Sequence, residues 1–330
     1  MSKLLNVGGQ AVIEGVMMKS PHYVAVAVRK PNKQIALKVE RSNSVTEKFK
    51  FLKMPFFRGI VMLFEMLSLG IKALNFSANE SMDESEDENE KNQTKDDHAK
   101  GQLSSIAIFF TILISLGFAI LLFVLTPYAL TSLLNIHEET SPILFNFVDG
   151  IIKLALFVLY IFLISRMEDI KRVFQYHGAE HKAVNCYEHK KKLTVENTQK
   201  FTTLNPRCGT SFILFVILIG VIVFSFVPVV VDALFPQVAT FSFMGKRAVF
   251  FFTRIIFMLP LAGISYEILK ISALYQKNII FKIISLPGLA VQKMTTSEPT
   301  DDQVEVAIKS LEAVLDMETK THGYEPVELT

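Results

Sequence analysis

Residues 212–231 read FILFVILIGVIVFSFVPVVV, twenty consecutive positions without an Asp, Glu, Lys or Arg. A helix rises about 1.5 Å per residue, so this run covers about 30 Å, the hydrocarbon thickness of a bilayer. Three other segments pass the same length test: Leu103–Thr126, Ile143–Ser165 and Ala248–Lys270. Pro127, Pro142 and Pro228 fall at or near segment ends, where proline is tolerated. Half of the 330 residues are hydrophobic and 28 are Phe, a composition that several spans require and a soluble domain does not. The reading is a mainly α, polytopic membrane protein with about four transmembrane helices.

A fifth apolar stretch, 56–78, carries Arg58, Glu65 and Lys72 at intervals of seven, a charged stripe on an otherwise apolar helix. Loop charges decide how to count it. Residues 1–55 hold ten Lys/Arg against three acids, and the loop 166–211 holds nine against five. The loop 127–142 has no Lys or Arg, and 232–247 has only Lys246 and Arg247. The positive-inside rule then places both termini and the 166–211 loop in the cytoplasm of a cell-membrane protein. Four spans satisfy this. A crossing by 56–78 would reverse every later loop, so that segment is read as an interfacial or re-entrant helix.

The rest divides by pattern. Residues 1–55 form a small β-rich cytoplasmic region, in which Tyr23–Val28 and Gln34–Val39 flank the turn Pro31-Asn32-Lys33. The N-terminus has no apolar core of signal-peptide length. Residues 79–102 are expected to be a disordered linker, because 80–97 alone carry nine Asp/Glu. Residues 103–270 hold the four-helix region with its loop 166–211. In 271–330 an apolar segment at 278–294, interrupted at Pro287-Gly288, lies on or dips into the bilayer. An amphipathic helix follows over 301–317, with Thr300 and Gln303 as a capping box. The net charge of +2 carries no global nucleic-acid signature. The lipid bilayer is the expected partner, with membrane proteins or peptides beside it.

His177-Gly178-Ala179-Glu180-His181 bears the chemistry. Two imidazoles at i, i+4 lie about 40° apart on one helix face and can share a divalent cation such as Zn2+. Glu180 stays free to move a water proton. In the plain alternative, both histidines are exposed or satisfied in a basic loop. A third ligand has three candidates. Glu267, near the end of the last span, completes a two-His, one-carboxylate set, or else snorkels to water or pairs with Lys270 or Arg254. Cys186 and Cys208 instead close a structural His/Cys site, act as a nucleophile beside a histidine, or are plain reduced thiols. Asp149 and Lys153, at i, i+4 inside a span, neutralise each other. Glu14 is a surface residue or a support for the site. Lys190-Lys191-Lys192 is a solvated turn or touches anionic lipid heads.

Four words of the chain, Gly9–Met18, Tyr176–Ala183, Arg207–Phe212 and Leu286–Leu289 followed by Thr295–Pro299, together resemble the YqhQ-like family of bacterial multi-pass membrane proteins. That family is defined by a domain of unknown function and carries the label of a predicted metal-dependent enzyme. The resemblance runs from about residue 5 to residue 315. It implies a multi-pass membrane protein and metal chemistry at the same His and Glu residues.

Two functions follow. One is a membrane-bound metal-dependent hydrolase in which His177 and His181 hold the ion, Glu267 or a cysteine completes it, and Glu180 is the base, acting on peptides or membrane proteins. The other is a non-enzymatic scaffold or membrane-protein biogenesis factor with a structural His/Cys site. A transporter, suggested by Asp149 and Glu267 within spans, is weaker because no internal repeat is visible.

Overall fold

The computed structural model describes residues 4–42, 44–82, 105–138, 140–275 and 277–324. The strands are β1 (Gly8–Val12), β2 (Gly15–Lys19), β3 (Tyr23–Arg29) and β4 (Ile35–Arg41). The helices are α1 (Val45–Lys48), α2 (Phe57–Ser81), α3 (Ser105–Ile120), α4 (Thr126–Leu133), α5 (Pro142–Ile164), α6 (Glu168–Glu188), α7 (Val195–Gln199), α8 (Gly209–Leu234), α9 (Phe243–Leu274), α10 (Ile279–Thr295) and α11 (Asp301–His322). The described residues fall into two compact units, one from 1–82, 161–215 and 262–330, the other from 83–160 and 216–261.

The first unit is built on an antiparallel sheet in the order β1-β2-β3-β4. Side chains alternate between the faces of a strand, and β3 is apolar at nearly every position because both of its faces are covered. Tyr23, Ala25 and Ala27 pack with Tyr176, Ala179 and Ala183 of α6 and with Val304, Ala307 and Leu311 of α11. Val24, Val26 and Val28 turn the other way, with Val12 and Met17, onto Ala73, Met66 and Leu69 of α2. The β3–β4 hairpin forms where the alternation predicts it, with Lys33 in the left-handed region at φ 67°. Thr300 and Gln303 make the expected capping box, and α11 runs past Met317 to His322 before Gly323 ends it.

Among the described residues, five helices are long and apolar enough to cross a membrane: Phe57–Ser81, Leu113–Leu133, Pro142–Ile164, Gly209–Leu234 and Ala248–Leu274. By length and composition, then, the count is five rather than about four, because the charged stripe of α2 does not shorten it. Its residues Gly59, Gly70, Ala73 and Ser77 are buried. Helix α10 also departs from expectation, running unbroken through Pro287, as α8 does through Pro228. A proline removes one backbone hydrogen bond, and in an apolar setting unwinding the helix would expose several more. Most of the acidic stretch 79–102 lies outside the described residues; its start belongs to the end of α2.

In the second unit Lys153 pairs with Asp149 one turn away, as their spacing predicts. Arg254 donates to Asn146 and sits 3.4 Å from Glu138. Charges inside an apolar bundle are thus matched within it.

Candidate metal centre

Helix α6 starts with Glu168 and Asp169 in its first turn, favourable at the positive end of the helix dipole. Every residue from Gly178 to Tyr187 is buried. Tyr176, Ala179, Ala183 and Tyr187 point to the sheet and α11. The remaining face turns to two extended segments, 202–208 and 295–298, which supply its polar partners.

Nδ1 of His177 lies 2.8 Å from the carbonyl oxygen of Thr295, and Nδ1 of His181 bonds the carbonyl oxygen of Thr203. A carbonyl only accepts, so Nδ1 of each ring carries its proton, and the atom left to ligate a metal in the neutral form is Nε2. The rings are 4.4 Å apart at 61°. Nε2 of His177 is 3.2 Å from Sγ of Cys208. One ligand atom from each of His177, His181 and Cys208 falls within 4.8 Å of the others. Glu180 is 3 % exposed, with Oε2 3.4 Å from Nε2 of His181. Burial pushes its pKa up to about 7, against the opposing pull of His177 and of the Gly9 backbone N–H.

Two glycines permit this packing. A Cβ on Gly178 would lie 2.1 Å from the carbonyl oxygen of Ser297, and one on Gly9 would lie 2.7 Å from Cγ of Glu180. The first close approach brings the 296–298 segment onto α6, where the Ser297 N–H bonds the Phe174 carbonyl. The second brings β1 over the carboxylate.

Of the six site residues expected from sequence, four converge here: His177, His181, Glu180 and Cys208. Glu267 does not join them. Its carboxylate forms an ion pair with Arg58 and accepts the N–H of Phe56 at 3.2 Å, so its direct partner is Arg58, with Lys270 a more distant charge neighbour. Cys186 does not join either. Five positions after His181 it turns about 140° around the helix, is fully buried, and its thiol, raised by that burial, reaches the carbonyl oxygens of Lys191 and Lys192 at 3.7 Å. A closed site with both cysteines is thereby ruled out of this arrangement. A Glu267→Gln variant is expected to keep the metal content of the parent chain by inductively coupled plasma mass spectrometry. Loss of the ion would return Glu267 to the ligand set.

Sequence reasoning missed the clamps. Asn185 Nδ2 donates to the carbonyls of Thr202 and Leu204 at 2.9 and 3.1 Å. The fully buried Gln292 exchanges hydrogen bonds with the Asn205 backbone and donates to Ser211 Oγ. These bonds hold the loop that presents Thr203 and Cys208. Asn185 lies one turn after His181, a spacing that could have flagged it; nothing in sequence marks the two carbonyls. Glu14, at φ 51°, pairs with Arg172 and accepts from Tyr176 at 3.2 Å, which fixes the β1–β2 turn against α6.

A second group, His22, Glu318 and His322, also gathers metal-ligating atoms. There the rings stack at 4.0 Å and 13°. Lone pairs in nearly parallel ring planes do not converge on one ion, so these residues are a polar clip between the β2–β3 turn and the end of α11. Ser20 and His22 hydrogen bonds hold Glu318 below the usual carboxylate range, although burial alone would raise it.

The family described as Protein of unknown function (DUF1385) matches residues 54–317. The Bacillus subtilis (strain 168) protein named Uncharacterized protein YqhQ is 37% identical over 316 residues, covering 94% of this chain and 92% of its own. No solved structure matches.

Proposed function

The chain belongs to the DUF1385 family, and on that premise we propose that it is a membrane-bound, metal-dependent hydrolase working at the cytoplasmic surface. One observation carries this reading: two imidazoles tied through Nδ1 to backbone carbonyls, with a cysteine sulfur 3.2 Å from one Nε2. Carbonyl bonds to the distal ring nitrogen are how proteins orient histidine ligands. Two imidazole nitrogens and one sulfur suit Zn2+, and three protein donors are what a catalytic zinc takes. His177, His181 and Cys208 would hold the ion. When bound, it supplies Lewis acidity and makes water easier to deprotonate. Glu180, buried beside His181, would take the proton of the attacking water and return it to the leaving group. A cavity of about 530 Å3 lies along the same loop, lined by Asn185, Glu188, Asn205, Arg207, Leu274 and Tyr275; the four metal-site residues are not part of its lining.

Membrane topology enters the same proposal. The sheet, α6 and α11 share one hydrophobic core, which requires them to lie on one side of the bilayer. The chain then crosses an even number of times between them. Because α2 packs along the sheet, it is α2 that stays in the interface, and four helices span. Single cysteines in a cysteine-free background at Asn32→Cys and Lys191→Cys are expected to react with an impermeant maleimide only after cells are opened. His137→Cys and Gln237→Cys should react in intact cells. The reverse pattern would sink this topology.

A second reading has an observation of its own. Oε2 of Glu180 is 3.4 Å from Nε2 of His181, close enough for Glu180 to become a fourth ligand in a closed, structural site. The Glu180→Gln variant separates the two. In the hydrolase it keeps stoichiometric zinc and loses cleavage of a quenched-fluorescent peptide library in nanodiscs. In the structural clip it loses the zinc. Full cleavage by Glu180→Gln removes the hydrolase mechanism.

A further inference from the structure

Residues 48–58 read KFKFLKMPFFR, with no acid among them. Both ends of this segment are pinned. At one end Glu65 of α2 accepts from Ser44 Oγ and the Val45 N–H, each at 2.8 Å. At the other, Glu267 of α9 holds the Phe56 N–H and the Arg58 guanidinium. Phe56 sits at φ 77°, a left-handed conformation that a bulky residue adopts only when its surroundings impose it. Between the pins the chain bulges through a 3-10 turn, Lys50–Lys53. Lys48, Phe49, Lys50, Phe51, Lys53 and Met54 are exposed. The aromatic rings form one chain of contacts, Phe49 to Phe51 at 6.3 Å, Phe51 to Phe57 at 6.2 Å and Phe57 to Phe56 at 5.4 Å. Phe51 is 57% exposed. The row continues along the outer side of α2 through the exposed Phe64, Leu67 and Ile71.

We infer that residues 48–58 form a docking surface for anionic phospholipid, with the phenylalanines sunk among the acyl chains and Lys48, Lys50 and Lys53 against the headgroup phosphates. Water does not favour so many exposed rings held side by side, and a bilayer interface does. The charge selects the headgroup: each lysine near an anionic surface gains about 1 kcal/mol, roughly fivefold in partition. Pinning by Glu65 and Glu267 presets the bulge, so little ordering cost remains when it inserts. The topology proposed above puts this surface on the cytoplasmic leaflet, but the chemistry stands whether α2 lies flat or crosses.

The test uses the full chain in nanodiscs, with a solvatochromic dye on a Phe51→Cys variant in which Cys186 and Cys208 are replaced. In phosphatidylcholine discs with a minor share of brominated phosphatidylglycerol, the dye should be blue-shifted and quenched several-fold more than by the same share of brominated phosphatidylcholine. High salt and the triple change Lys48→Gln, Lys50→Gln, Lys53→Gln should each abolish the difference while leaving the blue shift. A dye that reports water in every disc, or equal quenching by the two lipids, overturns the inference. So does tight binding of a single-stranded RNA oligonucleotide that displaces the dye from the lipid, because basic residues interleaved with aromatic ones also suit nucleic acid.

Discussion

In the metal-dependent hydrolase proposed above, replacing Cys208 with serine is expected to release the divalent ion from the purified chain. Loss of a partner that merely orients a ligand lowers metal affinity by about 10–100-fold, and loss of a donor atom should exceed the top of that range. Serine keeps the size of the side chain and the contacts with the Thr210 N–H and hydroxyl, so the fold should stand. What changes is softness: a thiolate binds Zn2+ well and a neutral hydroxyl does not. Metal content after dialysis and a Co2+ titration both read this out, because only sulfur ligation gives the near-ultraviolet charge-transfer band. Affinity in the parent chain should fall as pH is lowered, since bound ligands must shed their protons. Stoichiometric zinc in Cys208→Ser would exclude the cysteine from the site.

The Gly178→Ala variant is expected to lose stability and metal together. Its Cβ would stand 2.1 Å from the Ser297 carbonyl oxygen. The obstacle is backbone, so it yields only if the 296–298 segment moves off α6. That movement breaks the Ser297 N–H bond to Phe174 and the bond from His177 to Thr295. Overpacking of this kind costs about 1–3 kcal/mol, which in a unit of this size lowers Tm by roughly 2–12 °C. Gly117→Ala is the control, because nothing lies within 4 Å of a Cβ there. Equal melting temperatures for the two variants would mean that the close approach at Gly178 is not tight in solution.

Much of this was readable in the chain. Apolar runs mark the long helices because a bilayer sets their length, and the alternation in β3 marks a strand because side chains alternate with a period of two. His177 and His181 were legible as a pair because helical periodicity alone puts i and i+4 together. The third member of the cluster was not. Glu267, Cys186 and Cys208 were all candidates on paper, and what separates them is their partners: Arg58 takes Glu267, the turn after α6 takes Cys186, and the loop held by Asn185 and Gln292 delivers Cys208. The span count of α2 shows the same limit, because composition measures what a helix could face, whereas its packing on the sheet depends on contacts that composition does not encode.

By itself the sequence determined the long apolar helices, the β3–β4 hairpin and the C-terminal amphipathic helix, and that two imidazoles share a helix face. These are local properties, set by spacing and hydropathy. Tertiary structure alone decided which nitrogen of each ring is free, which sulfur approaches it, and which acid is buried beside it. Those depend on backbone carbonyls and close approaches between segments more than a hundred residues apart, such as His177 with Thr295, and no local pattern encodes a contact of that kind.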